Sequence, residues 1–422
     1  MVAPDQRRSF LASLFDAAVA AADPRKVIAA HLPGRPKGRT VVIGAGKGAA
    51  QMARALESCW DGPLSGVVVT RYGFGAVCDR IEVIEASHPV PDEAGLVASR
   101  RLLETVNRLS ADDLVIALIS GGGSALLPAP PEGLTLADEI AVNDVLLASG
   151  APISAMNVVR KHLSQVKGGR LAATAHPAKV VSLIISDIPG DNPALVASGP
   201  TVPDDTTRHD ALRTVERYRL TLPKAVMRHL QSDAAAAPHI GDPRFSGNEV
   251  RIVASAGVSL EAAAVEARRR GVEAIVLSDA IEGEAREIAH MHAALAIQVA
   301  ERNAPFRKPV VLLSGGETTV TLAGNGKGGR NSEFLLSLAI DIDGKSAITA
   351  IAADTDGIDG SENNAGAFAD GNTVAKLAAR SVDARKLLDT NDSWSAFNAI
   401  GDLFTSGPTG TNVNDFRAIL VE

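Results

Sequence analysis

The sequence predicts an α/β protein of two domains, with mostly parallel or mixed sheets covered by helices. Three observations carry that reading. The chain has 422 residues, enough for two cores. Hydrophobic residues make up 46% and aromatic residues only 3%, the Ala, Val, Leu, Ile and Gly usage of buried parallel strands. Short apolar runs also alternate with amphipathic segments, the pattern of strand–helix–strand units.

Taken in order, residues 9–22 read as a helix with Phe10, Leu14 and Val19 on one side. Residues 40–43 are an apolar strand that opens into Gly44-Ala45-Gly46-Lys47-Gly48-Ala49, then a helix through Met52, Leu56 and Trp60. Strands follow at 66–70 and 81–86. Asp92 is placed to cap the helix through Leu96 and Leu103. The strand at 113–119 runs into Ser120-Gly121-Gly122-Gly123-Ser124, and helices are expected over 136–147 and 153–166. The strand at 180–185 leads to Ser186-Asp187-Ile188-Pro189-Gly190-Asp191. Residues 231–248 are rich in Ala, Pro, Gly and Asp and read as the boundary, giving domains of 1–240 and 241–422. Alternation then resumes, with strands at 250–254, 274–277, 310–313 and 347–352 and helices at 260–270 and 284–300. The final segment, 416–421, is expected to be an edge strand.

Composition excludes several classes. Formal net charge is −7 with both signs interspersed, so no basic face suggests nucleic acid. Apolar runs stop short of the ~18–20 residues of a membrane helix, so no membrane association is expected. Cys59 and Cys78 form neither a metal spacing nor a disulfide framework, and the N-terminal segment is not a secretory signal. A reducing cytoplasm fits.

Six polar or glycine-rich loops directly follow strands, where open α/β sheets bind ligands. Residues 44–49 read as G-x-G-x-x-A, a dinucleotide fingerprint, although the next strand ends on Arg71 and not on the acid a ribose needs. The same turn puts Lys47 where it could meet a charged ligand; a solvated lysine in a structural turn is the plain alternative. Ser120, Gly121, Gly122, Gly123 and Ser124 offer backbone N–H groups and two hydroxyls to a carboxylate or phosphate, or serve close packing. Asp187 and Asp191 share one loop, suited to accepting a hydroxyl proton or holding a divalent cation, and equally to turn formation. Asp354, Asp356 and Asp359 have a metal-loop composition without an EF-hand's spacing. Of Arg160, Lys161, Lys167 and Arg170, most read as a solvated helix face, with one able to reach a cleft. His88 reads as a loop anchor. Residues 314–333 hold Gly315, Gly316, Lys327 and Arg330, with Asn331 or Ser332 as the cap of a helix, which reads as an anion-handling loop or as a hairpin.

The segments GAGKGAAQMA, SHPVPDEAG, LISGGGSALL, VRKHLSQVKGGRLA, SDIPGDNPALVASGPTVPD, LSGGETTVTLAGNGKGGRNSE, AADTDGIDG and FTSGPTGTNVND resemble the glycerate 2-kinase family of the MOFRL type. Members are often labelled hydroxypyruvate reductase of tartrate utilisation. The resemblance covers the chain from about Arg8 onward. It implies a Rossmann-like N-terminal domain, a MOFRL-like C-terminal domain and an active site in the cleft between them. It implies ATP-dependent phosphorylation of D-glycerate at its 2-hydroxyl, with ATP and Mg²⁺ as cofactors. The catalytic roles carry over to Lys47, Asp191 and Arg330, with Asp187 the rival for the aspartate. Substrate is then expected on Ser120 to Ser124 and Arg160. ATP is expected on Gly315, Gly316, Glu317, Thr318, Lys327 and Asn331, and the metal on Asp187 and Asp354. A homodimer is compatible with this reading. The competing readings are an NAD(P)H-dependent hydroxypyruvate reductase and a non-catalytic sugar-acid or nucleotide sensor.

Overall fold

The computed structural model describes residues 4–422. Two compact units divide it: residues 24–253, and residues 254–422 joined by the segment before residue 24. The sequence-based boundary at 240/241 is therefore moved, and the first helix changes sides. The reason is burial. Along the helix Pro4–Ala21, Leu11, Leu14, Phe15 and Ala18 are buried against Leu260, Ala264, Phe416 and Ala418. Phe15 meets Phe404 and Phe416 edge-on at 5.1 and 5.8 Å. Removing such a side chain would cost ~3–5 kcal/mol. Arg8 adds a 2.6 Å ion pair with Asp402. Residues 231–248, though turn-rich, precede a strand that still belongs to the first sheet.

That sheet has six strands: β1 (Thr40–Ala45), β2 (Ser65–Arg71), β3 (Ile81–Ala86), β4 (Leu114–Ser120), β5 (Lys179–Ile185) and β6 (Glu249–Ala254). Their order is β3-β2-β1-β4-β5-β6. The pairs β3–β2, β2–β1, β1–β4 and β4–β5 are parallel. β1 and β4 are buried at every residue, which is why they read as continuous apolar runs rather than as alternation. The strand order reverses between β1 and β4. Ligands of open α/β sheets sit at that point, outside the carboxyl ends of the strands.

The second sheet is mixed. Its strands are β7 (Glu273–Ser278), β9 (Val310–Gly316), β11 (Ile348–Asp354), β12 (Gly366–Asp370), β13 (Leu403–Phe404) and β14 (Asp415–Val421), in the order β13-β12-β11-β14-β9-β7. Two-residue strands β8 (Gly283–Glu284) and β10 (Thr318–Thr319) pair beside it. β14 is central, antiparallel to both β11 and β9 and buried throughout. The expectation of an edge strand fails here. A chain-terminal position is no guide when seven consecutive residues are all apolar or internally paired. Helices Ala285–Arg302 and Arg330–Asp341 cover one face, and Pro4–Ala21 with Ala256–Arg269 cover the other. Among the described residues no helix is long and apolar enough to cross a membrane.

Candidate active site

In the first unit, the loops after β1 and β4 are locked together. Lys47 N–H donates to Gly121 O at 2.8 Å, and Gly48 N–H donates to Ser120 Oγ at 2.9 Å. Thr70 Oγ1 donates to Lys47 O at 3.1 Å. These bonds aim the Lys47 side chain across the triple glycine. A Cβ on Gly122, which has φ 76°, would lie 3.0 Å from Lys47 Cγ and 3.2 Å from both Lys47 Cε and His88 Nε2. A Cβ on Gly121 would lie 1.7 Å from Asp187 Oδ2. The glycines therefore let a cation, an imidazole and a carboxylate reach one stretch of bare backbone.

A cleft of about 280 Å³ opens above them, lined among others by His88, Gly122, Ser124, Arg160, Lys167 and Asp187. Ser124 Oγ pairs with Ser198 Oγ at 2.8 Å, and Ser198 Oγ donates to Asn157 Oδ1 at 3.3 Å. Arg160 Nε donates to Asn143 Oδ1 at 2.8 Å, and burial pulls its pKa below the usual guanidinium value. The basic set is not the solvated face that its sequence suggested. Lys167 is buried on Glu139 at 2.6 Å and Lys161 on Asp204 at 3.1 Å, while Arg170 donates to the carbonyls of Lys161 and Ala235. Burial, with the charges of Lys47 and Arg71 beside it, lowers the His88 pKa to about 4, so its ring is neutral. Asp191 stands apart. It occupies the turn Pro189–Asp191 with φ 53°, its N–H bonds to Ile188 O at 3.0 Å, and it does not line the cleft. Of the two loop acids, Asp187 is the one that lies over Gly121, next to the glycine that the Lys47 side chain crosses.

In the second unit, sheet register assembles a different set. Asp354 is opposite Asp415, and Asp415 is opposite Gly316. Arg330 begins the helix Arg330–Asp341 and meets three carboxylates: Asp415 Oδ1 at 2.6 Å, Asp354 Oδ2 at 2.8 Å and Glu317 Oε1 at 2.9 Å. Burial opposes its charge, but those three carboxylates outweigh burial and hold its pKa above the ordinary value. Asp354 also accepts from Asp356 N–H at 3.0 Å. Burial and the Asp356 charge push its carboxyl up, against the pull of Arg330. Each of its oxygens accepts a hydrogen bond, one from Arg330 and one from the Asp356 N–H.

The helix start differs from expectation too. Gly329, not Asn331 or Ser332, is its cap. The buried Asp359 carboxylate accepts from Asn331 N–H at 2.9 Å and Ser332 N–H at 2.8 Å. The anion that a helix N-terminus favours is thus already supplied from within the chain. Burial raises the Asp359 pKa, which these hydrogen bonds counter. Asn331 and Thr318 are buried against Asp415. Gly315 and Gly316 lie in the sheet, Gly316 pressed on Ile281. Lys327 is exposed, 3.2 Å from Glu362 and over the Trp394 ring. A pocket of about 250 Å³ here is lined by Gly326, Gly328, Gly329 and Gly360 and by neutral side chains, with Arg330, Glu333, Asp354 and Asp359 as its charged groups. As it stands, this is an acid-rich pocket and not an open phosphate loop. Among the described residues no group of three His, Cys, Asp or Glu side chains is arranged to hold a metal ion.

Sequence reasoning passed over Asp415 and Arg417. Arg417 is fully buried and donates to Asp415 Oδ2 at 2.5 Å and Thr318 Oγ1 at 3.1 Å. Their only sequence signal is a pair of charges in an apolar strand.

Residues 10–231 match the Domain of unknown function (DUF4147), and residues 310–415 match the MOFRL family. A protein described as a glycerate 2-kinase, from Pyrococcus horikoshii, is 43% identical over 91% of this chain and 88% of its own length. The chain belongs to the MOFRL-type glycerate kinase family. A relative from Agrobacterium vitis described as a putative hydroxypyruvate reductase is 51% identical over 98% of this chain and 94% of its own. The crystal structure of a glycerate kinase from Thermotoga maritima superposes with a TM-score of 0.92 at 37% identity, covering 99% of this chain and all of that one.

Proposed function

We propose that this chain is an ATP-dependent kinase that phosphorylates D-glycerate at the 2-hydroxyl, giving 2-phosphoglycerate and ADP. The observation that carries the reading is the meeting of Lys47, the bare Gly121–Gly122 backbone and Asp187 at the switch point of the first sheet. Similarity to relatives described as glycerate 2-kinases supports the same reaction.

Phosphoryl transfer needs positioning and charge neutralisation more than covalent help. In this reading the Lys47 ammonium neutralises charge on the moving phosphoryl. Asp187 orients the 2-hydroxyl and accepts its proton. Arg160 and the Ser120 to Ser124 loop hold the substrate carboxylate. Asp187 also has the oxygen donor that Mg²⁺ takes, and Mg²⁺ would offset phosphate charge. The acid-rich pocket around Arg330 suits a nucleotide only as its metal complex, with Lys327 as an exposed cation beside it. Two free cysteines fit a reducing cytoplasm, and small molecules are the partners.

Purified protein given ATP, Mg²⁺ and D-glycerate should release ADP and form a product that enolase dehydrates. Absence of glycerate-dependent ADP would end this reading. The reductase reading keeps one specific support, the strand order β3-β2-β1-β4-β5-β6 with its G-x-G-x-x-A turn. Against it, β2 ends on Arg71, stacked on Phe74 at 3.5 Å, with no acid there for a ribose. Loss of NADH or NADPH absorbance on adding hydroxypyruvate would restore it.

A further inference from the structure

His88 is a titratable cleft residue that the kinase reading above does not put to use. Several other imidazoles among the described residues are already hydrogen-bonded. His162 bonds to Ala235 O at 2.8 Å, His292 to Ile288 O and Ser314 Oγ at 2.8 and 2.9 Å, and His31 and His239 to backbone carbonyls. His88 has no hydrogen-bond partner among the described residues, yet it is half-buried and lines the cleft. Its Nε2 stands over Gly122 beside the Lys47 side chain, with Asp187 over the neighbouring Gly121.

The surroundings define what such a ring can bind. The cations near it are Lys47 and Arg71, with Arg160 and Lys167 elsewhere in the cleft lining; the acid is Asp187. A substrate carboxylate goes to a cation, and a reacting hydroxyl goes to Asp187. A neutral imidazole offers one donor and one acceptor, the complement of an uncharged hydroxyl. Kept neutral by burial and by Lys47, His88 does not compete for the carboxylate.

We propose that His88 recognises the non-reacting hydroxyl of a small dihydroxy acid, and so makes the cleft select glycerate over monohydroxy acids of the same length. This deepens the kinase reading and rests on it for the identity of the substrate. A site that hydrogen-bonds a substrate hydroxyl rejects the analogue lacking it, because its own polar group is left unpaired.

The test is calorimetric binding of D-glycerate and D-lactate to wild type, His88→Ala and His88→Asn, alongside ADP release. Wild type should bind glycerate roughly 10- to 100-fold more tightly than lactate. His88→Ala should lose that preference by weakening glycerate alone, with lactate unchanged within about threefold. His88→Asn, neutral and hydrogen-bonding, should recover part of it. Equal weakening of both acids would mark His88 as merely structural, and no weakening, or no glycerate preference in wild type, would also overturn the proposal. Selective binding without any ADP release would instead remove the kinase reading and leave His88 in place.

Discussion

Gly121→Ala is the sharpest probe of the site. Gly121 is not among the residues with positive φ, so alanine is allowed there by the backbone. Its methyl carbon, however, would sit 1.7 Å from Asp187 Oδ2 and 2.2 Å from Asp187 Cγ. The carboxylate has to withdraw by at least ~1.3 Å to reach even a tight contact, and displacements of about 1 Å at a reacting group cost roughly 100-fold in rate. The fold should suffer far less. Asp187 is half-buried and its loop can give, so a loss of ~1–2 kcal/mol is expected. The assay is ADP release at saturating ATP and glycerate, read beside the thermal midpoint. The variant should melt within a few degrees of wild type and turn over about 100-fold more slowly. Asp187→Asn should match it, while Asp191→Asn, outside the cleft, should stay within about threefold of wild type. Normal turnover in Gly121→Ala, or loss in Asp191→Asn with none in Asp187→Asn, would refute the assignment of the carboxylate.

Three further outcomes follow from the same geometry. Lys47→Ala should lower turnover at least ~100-fold with an unchanged midpoint, since it removes positive charge from the developing transition state and no packing residue. Asp359→Ala should destabilise the second unit by ~2–4 kcal/mol, measured by urea unfolding, because two buried helix N–H groups lose their acceptor. His292, buried on Ser314, has its pKa pulled down to about 4 by burial. Its unfolded value lies near 6.5, so the unfolded chain binds the extra proton and stability falls as pH drops from about 6.5 towards 4. Between pH 7 and pH 5 that amounts to about 2 kcal/mol at most, and His292→Gln should show a shallower fall in thermal midpoint over that range.

Local pattern was enough for much of the fold. The apolar runs that became β1, β4, β5, β9 and β11 are buried on both faces, so they stand out in sequence without any partner being known. Asp92 caps its helix through Gly95 N–H as its spacing implied. The glycines at 121 and 122 were visible as a feature, and so was Lys47 at the top of a strand. What each glycine makes room for was not.

Contacts across the chain settled the rest. Asp187 and Asp191 look alike in sequence; a turn with left-handed residues at Gly190 and Asp191 separates them, and only Asp187 reaches Gly121. Arg330 reads as a free phosphate-binding cation until sheet register delivers Asp354 and Asp415 to it. The helix N-terminus at Asn331 reads as an anion site until Asp359, 28 residues onward, occupies it. The physical reason is common to these cases. Periodicity and turn chemistry are properties of neighbours in sequence, so they specify elements and loops. Charge compensation and close approach depend on which strand ends lie side by side, and that is set by register and packing between residues far apart in the chain.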